Sequence, residues 1–445
     1  MNHLIQRSFL SQLLLSTTLL TSAVLAPCLL NRPAQASFQD SPKVLIDEAW
    51  QIVNHEYVDP TFNRKDWQAI RQDLLSRDYS SKEQAYNALR LALKQLDDPY
   101  TRFMDPKQFD VLNSQTSGEL SGVGIRLELD SQTKTLTVVE PLPNSPAAKG
   151  GLKSGDKVLA VNGKSTKGMT VDDASSLIRG QEGTKVVLRI GRSGASEFDV
   201  PLTRARIELQ TVRYDVKQEG KRRIGYIRLS EFSSHAAEQM RQAIRSLLSE
   251  KVDSFVLDLR GNPGGLLQAS IEISRMWMDQ GSIVKTVDRK GGSEEIAANR
   301  TALTKLPLAV LVDKNSASSS EILTGALKDN KRATVVGSQT FGKALVQSVH
   351  PLSDGSGLAV TIAHYYTPNG TDISHKGIEP NVVLDLSTDQ QRKLYTNPKL
   401  LGTLEDPQYI RAIAALEQIA NSNTGNQNVG QRPATPGTTP GLFAQ

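Results

Sequence analysis

The chain has 445 residues, with 52 Lys and Arg against 47 Asp and Glu, a formal net charge of +5. That length leaves room for two or three domains, each with its own core. The mild charge and the lack of basic runs interleaved with aromatics argue against a nucleic-acid binder, and a single cysteine, Cys28, rules out an internal disulfide framework.

Residues 1–36 open with a short n-region holding Arg7, run mostly apolar over 9–30 and close on Arg32-Pro33-Ala34-Gln35-Ala36. The small-x-small ending predicts a secretory signal peptide cleaved after Ala36. A retained signal anchor is the competing reading, because the apolar stretch is long enough to span a bilayer. Polar Ser11, Gln12, Ser16, Thr17 and Thr18 dilute it, and Pro27 argues against a lipid anchor on Cys28. Removal would leave a cysteine-free chain of net charge +3 with no later membrane-spanning run. The expectation is a soluble exported protein, associated with a membrane only if the first segment is retained.

Residues 37–112 read as a helical region. Ile46, Trp50, Val53 and Tyr57 recur at alternating spacings of four and three, and Leu89, Leu93 and Leu96 behave alike. Asp59-Pro60 and Asp97-Asp98-Pro99 mark the breaks between helices. No residue pattern here carries chemistry, and the region is expected to be a packing unit that supports the rest of the chain.

Over residues 113–204 the pattern changes to short strands, predicted at 123–129, 135–139, 157–161 and 185–190, with a helix over 171–178 after Thr170. Gly122, Val123, Gly124 and Ile125 stand at the entry to the first strand. Paired glycines let backbone N–H groups converge on one concavity, a receptor for a carboxylate. A peptide C-terminus would then add as an extra strand beside the sheet. These four residues, with Ser145-Pro146-Ala147-Ala148, Gly151-Leu152-Lys153-Ser154-Gly155-Asp156 and Val161-Asn162-Gly163, resemble a PDZ domain in content and order.

Residues 205–400 form the largest unit. Strands are predicted at 224–229, 254–259, 306–312 and 333–336. Helices are predicted at 235–248, from Gly265 to about 278, and from the cluster Ser318-Ser319-Ser320 onward. Strand–helix alternation predicts an α/β layer with parallel strands, whose functional residues sit in turns beyond strand ends. The Gly264-Gly265 turn and the Ser318 turn are both of that kind. A C-terminal helical segment is expected over 401–420, and a tail rich in Asn, Thr, Gly, Pro and Gln over 421–445 reads as disordered.

Within this unit a serine at a strand-to-helix turn is followed, 25 residues later, by Lys343 on a glycine-flanked turn. Backbone N–H groups at a helix start can stabilise an oxyanion, and Glu321 suits the positive helix end. The pattern suggests a serine nucleophile with an amine base. Residues 337–344 also approach a phosphate-cradling loop, but Ala344 replaces the hydroxyl residue that would hold magnesium. Ser131-Gln132-Thr133-Lys134 matches S-x-x-K yet falls in an expected hairpin turn. His235, His350, His364 and His375 are candidates for a serine–histidine pair without a G-x-S-x-G elbow, and no histidine–carboxylate spacing predicts a metal site.

The run Asp258-Leu259-Arg260-Gly261-Asn262-Pro263-Gly264-Gly265 resembles the carboxyl-terminal processing peptidases, tail-specific serine proteases with an embedded PDZ domain. So do Ser316-Ala317-Ser318-Ser319-Ser320-Glu321, residues 328–333 and Gly337-x-x-Thr340-Phe341-Gly342-Lys343. The resemblance spans roughly residues 40–400. It implies an α/β multidomain fold: a helical N-terminal region, a small β-rich PDZ domain and a protease core with a crotonase-like layered sheet. It also implies that Ser318 is the nucleophile, Lys343 the general base and Gln347 the residue that orients it. Gly264 and Ser319 N–H groups would form the oxyanion hole, no metal or cofactor would be needed, and Asp329 matches a recurring aspartate. Ser338-Gln339, Ala344 and Gly261 depart from the commoner family residues without removing any of these groups.

A free lysine has a pKa of about 10.4, and burial lowers it toward a usable base. The expected activity is an exported endopeptidase, periplasmic or lumenal, cutting near the C-terminus of protein substrates with free C-termini. Residues 57–63, followed by Asp66-Trp67, resemble plant and cyanobacterial members, which would make maturation of a photosystem II reaction-centre precursor the specialised form. A non-catalytic PDZ adaptor is the competing class. Arg179 is a candidate for coupling the PDZ domain to the core.

Overall fold

The computed structural model describes residues 41–428. The signal-peptide expectation over 1–36 and the tail beyond residue 428 lie outside the described residues. The N-terminal region begins with α1 (Pro42–Glu56), α2 (Trp67–Ser76) and α3 (Lys82–Lys94). Asp66 and Ser81 accept the N–H groups of Ala69 and Gln84 at the starts of α2 and α3. Trp50, Tyr57, Phe62 and Trp67 bury together with Leu352, Leu358 and Val360 of the core. The region departs from an all-helical reading at β1 (Arg102–Met104), which pairs antiparallel with residues 357–359. α4 (Pro106–Ser117) opens with an Asp105–Gln108 capping box and Pro106, and ends at Gly118 with φ 69°.

β2 (Glu119–Gly122) leads into the second unit. Its sheet holds β3 (Ile125–Leu129), β4 (Leu136–Pro141), β5 (Lys157–Val161), β6 (Lys164–Ser165), β7 (Lys185–Gly191) and β8 (Phe198–Thr203). Two helices, α5 (Pro146–Lys149) and α6 (Val171–Ile178), complete it, and α6 has the predicted bounds because Thr170 and Asp173 form a capping box. β8 is not among the predicted strands; it is an edge strand, the place where a sheet tolerates Pro201. β9 (Ala205–Glu208) then returns antiparallel to β2, so a two-stranded ribbon joins this unit to the core.

The core continues through β10 (Val212–Glu219), β11 (Arg222–Leu229), α7 (Ala236–Ser249), β12 (Ser254–Asp258), α8 (Leu267–Trp277), β13 (Ser282–Asp288) and β14 (Ser293–Ala297). There follow β15 (Leu308–Val312), α9 (Ser319–Asp329), β16 (Thr334–Gly337), β17 (Leu345–Pro351), β18 (Gly357–Tyr366), β19 (Val382–Val383), α10 (Thr388–Thr396) and α11 (Pro407–Asn428). The first sheet has the order β10-β11-β12-β15-β16-β19, parallel from β11 onward. Every residue of β12 and β15 is buried, as expected of a parallel sheet covered on both faces. Residues of α7, α8 and α9 fill one face, and Tyr409, Ala412 and Leu416 of α11 fill the other.

A second sheet of β1, β18, β13, β14 and β17 forms the other layer of the core. Its strands β13, β14 and β18 are not among those predicted, and the first two are partly exposed with mixed polarity. α11 runs to Asn428, beyond residue 421 where the disordered tail was expected to begin. Among the described residues no helix is long and apolar enough to cross a membrane.

Candidate active site

The Ser318 turn follows β15 and starts α9. Ser316 Oγ donates to Leu259 O at 2.9 Å, Ser320 Oγ to Asn262 O at 2.9 Å and Ser319 Oγ to Gly265 O at 2.9 Å. These three buried hydroxyls fasten the turn after β12 against the turn after β15. Ser318 is the exception, since its hydroxyl donates to none of these carbonyls. Its backbone stands at φ 54°, ψ −117°, a strained region for a residue with a Cβ. That is the conformation of a sharp strand-to-helix elbow, reached here without the G-x-S-x-G sequence.

Gly264 is required by its surroundings. It sits at φ +108°, and a Cβ there would come within 2.8 Å of both Ala317 O and Ser318 Cβ, and 3.1 Å from Ser319 N. The predicted oxyanion donors are therefore brought together beside Ser318. The Ser319 N–H, at the first helical position, has no partner among the described residues. The Gly264 N–H differs from its expected free state: it donates to Asn262 Oδ1 at 2.9 Å, closing a local turn.

Glu321 has a larger part than the helix-end acid read from the sequence. It is fully buried, and accepts the Ser318 N–H at 2.9 Å, the Lys343 N–H at 2.9 Å, the Gly342 N–H at 2.7 Å and Thr340 Oγ1 at 2.6 Å. Burial pushes its pKa up, and the four donors oppose that by stabilising the carboxylate. Tyr365, also buried, places its hydroxyl 3.2 Å from Ser318 O and hydrogen-bonds Lys343 O as well. One carboxylate and one phenol thus tie the backbones of Ser318 and Lys343 together.

The Lys343 amine is half-buried, and desolvation, aided by the Arg102 charge, lowers its pKa to about 8 against the opposing pull of Asp98 and Glu321. Nζ lies 4.4 Å from the centre of the Tyr100 ring. Among the described residues no hydrogen bond joins it to Ser318, and Gln347 Nε2 instead donates to Thr361 Oγ1 at 3.4 Å. A register shift at Val346/Gln347 in β17 accompanies that placement. Tyr100, Glu321 and Tyr365 are the site residues that sequence reasoning missed or undervalued. Only Glu321, inside the serine motif, left a local signal.

The other candidates fall elsewhere. Ser131 and Lys134 occupy the β3–β4 turn. His235 meets Glu119 at 3.0 Å and His350 meets Glu56 at 2.8 Å, away from Ser318. Residues Gly122, Val123, Gly124 and Ile125 line a cavity of about 70 Å³ with Ile178 and Arg179. Gly124 has φ +74°, and a Cβ there would come 2.3 Å from Ser145 Cβ. The Val123 and Gly124 N–H groups have no partner among the described residues. Arg179, the candidate for coupling to the core, lines this cavity.

Comparison with known proteins agrees with this layout. The model of Peptidase family S41 matches residues 223–384, and that of the PDZ domain matches residues 137–192. A carboxyl-terminal-processing protease of Synechocystis is 43% identical over 358 residues, covering 80% of this chain and 83% of the relative. Carboxyl-terminal-processing peptidase 2, chloroplastic, of Arabidopsis thaliana is 39% identical, covering 82% and 72%. The solved structure of a photosystem II D1 C-terminal processing protease is similar with a TM-score of 0.52 at 36% identity, covering 83% of this chain and 99% of that one. The chain belongs to the carboxyl-terminal-processing proteases of peptidase family S41, serine proteases that combine a PDZ domain with this α/β core.

Proposed function

We propose that Ser318 is the nucleophile and Lys343 the general base of this protease. Ser318 Oγ attacks the scissile carbonyl carbon while its proton passes to the neutral Lys343 amine. The developing oxyanion takes the Ser319 N–H and the Gly264 N–H, the latter exchanging Asn262 for the substrate oxygen. Lys343 then protonates the leaving amine, and a water activated by the same lysine hydrolyses the acyl-enzyme. Gln347 orients the amine through its side-chain oxygen once Lys343 turns toward Ser318. The observation that carries this reading is the double tie of Glu321 and Tyr365 to the backbones of both residues.

The PDZ domain holds the substrate's free C-terminus. The unpartnered Val123 and Gly124 N–H groups and the Arg179 guanidinium supply the charge complement to a carboxylate. The enzyme is exported and works in a periplasm or thylakoid lumen, a reading supported by the cyanobacterial and chloroplastic relatives and by the sequence of residues 1–36. The name of one structural neighbour favours a photosystem II D1 precursor as a specialised substrate. Ser318→Ala should abolish cleavage of a tailed peptide, and amidating the peptide's C-terminus should raise KM for the wild type. Turnover by folded Ser318→Ala would overturn the nucleophile, and an unchanged KM for the amide would overturn tail capture.

A further inference from the structure

The segment between α3 and β1, expected only to pack, reaches the lysine. Tyr100 presents its ring face to Lys343 Nζ at 4.4 Å, and its hydroxyl has no hydrogen-bond partner among the described residues. The backbone that carries the ring is held firmly. Asp98 accepts the Tyr100 N–H at 2.9 Å and Thr101 Oγ1 at 2.7 Å, and Thr101 Oγ1 accepts the Thr361 N–H of β18 at 3.0 Å. β1 continues the attachment by pairing Arg102 with Ala359. The backbone at Tyr100 is therefore fastened to the strand that also carries Tyr365, and the long lysine side chain is the more movable partner.

An aromatic face attracts an ammonium and has no comparable pull on a neutral amine. We infer that Tyr100 is a positioning residue for Lys343: its ring holds the protonated amine away from Ser318, and loss of the proton frees the amine to reach the serine. Deprotonation and movement of the base thus become one linked event. The inference rests on the reading of Lys343 as general base. The charges around the amine are Arg102 on β1, which disfavours the ammonium, and Asp98 on the Tyr100 loop and Glu321 on α9, which favour it. Tyr365 on β18 meets the lysine backbone. Against that background the ring acts with the two carboxylates.

The test compares wild type, Tyr100→Phe and Tyr100→Leu, with Tyr100→Met replacing the leucine variant if that one does not fold. Each protein carries lysine labelled with carbon-13 at Cε, and the Lys343 resonance is assigned by its loss in Lys343→Ala. Leucine keeps bulk and burial but removes the ring, so the Lys343 midpoint should fall by about half to one pH unit. The acid limb of kcat/KM should move with it, while Tyr100→Phe keeps both near wild type. An unchanged or raised midpoint in the folded leucine variant would overturn the inference, because the ring would then be only a cover. Cleavage by folded Lys343→Ala would overturn the base assignment itself. An inactive Lys343→Ala beside an unshifted Tyr100→Leu would remove only the role of Tyr100.

Discussion

At the scale of single residues, the site depends on groups that perform no bond-making step. Glu321 is a buried carboxylate, normally a costly feature, and its four donors make it tolerable. Two of those donors are the backbone N–H groups of Ser318 and Lys343. Glu321→Gln would keep size and burial but turn one acceptor oxygen into an NH2 facing other donors. The expected result is a loss of kcat of about 10²-fold with KM little changed, because misplacement by about 1 Å is enough for that effect. Steady-state kinetics on a tailed peptide measure it, and a kcat within a factor of two of wild type would show that the tie is dispensable.

At the scale of elements, the Gly264 turn is held from behind. Arg260 is buried and donates to Asp258 at 2.6 and 2.9 Å, to Asp406 at 2.6 and 2.9 Å, and to Gln408 at 3.0 Å. Tyr226 adds a 2.6 Å bond to Asp258. The network joins the end of β12 to the start of α11. Burial pushes the Asp258 carboxyl up, but Arg260 beside it wins and holds its pKa below the ordinary value. A depressed folded pKa means stability that is present above the unfolded pKa and is lost as pH falls through the folded one. Arg260→Ala would leave two buried carboxylates without their partner, and should destabilise the core by about 3–5 kcal/mol. A urea midpoint indistinguishable from wild type would refute that.

Legibility also divides along elements. β11, β12, β15, α7 and α9 are visible in the sequence because buried parallel strands and amphipathic helices leave strong local patterns. So are the turns that carry Ser318, Lys343 and Gly264, the proposed site residues, because helix starts and glycine turns are local chemistry. β13 and β14 are not, since their mixed faces blur the period. Tyr100 and Tyr365 are invisible for another reason: each reaches the lysine only through tertiary folding, from the loop before β1 and from β18. The Gly264 turn is legible as a motif, but its occupied N–H depends on the Asn262 side chain, which a motif does not orient.

At the scale of the molecule, three regions meet in one function. The N-terminal helices pack on the second sheet and deliver Tyr100, the core supplies Ser318 and Lys343, and the ribbon of β2 and β9 connects the PDZ domain, whose groove is the proposed tail site. Under the proposed mechanism the result is a composite site whose base is Lys343, its pKa lowered by burial. The most direct measurement is kcat/KM against pH on one tailed peptide, for wild type and Lys343→Ala. A rising limb with a midpoint of about 8, set by the neutral amine of Lys343, is expected for the wild type, and no turnover in the alanine variant. A limb near 6.5, where an ordinary histidine titrates, or cleavage by folded Lys343→Ala, would contradict it.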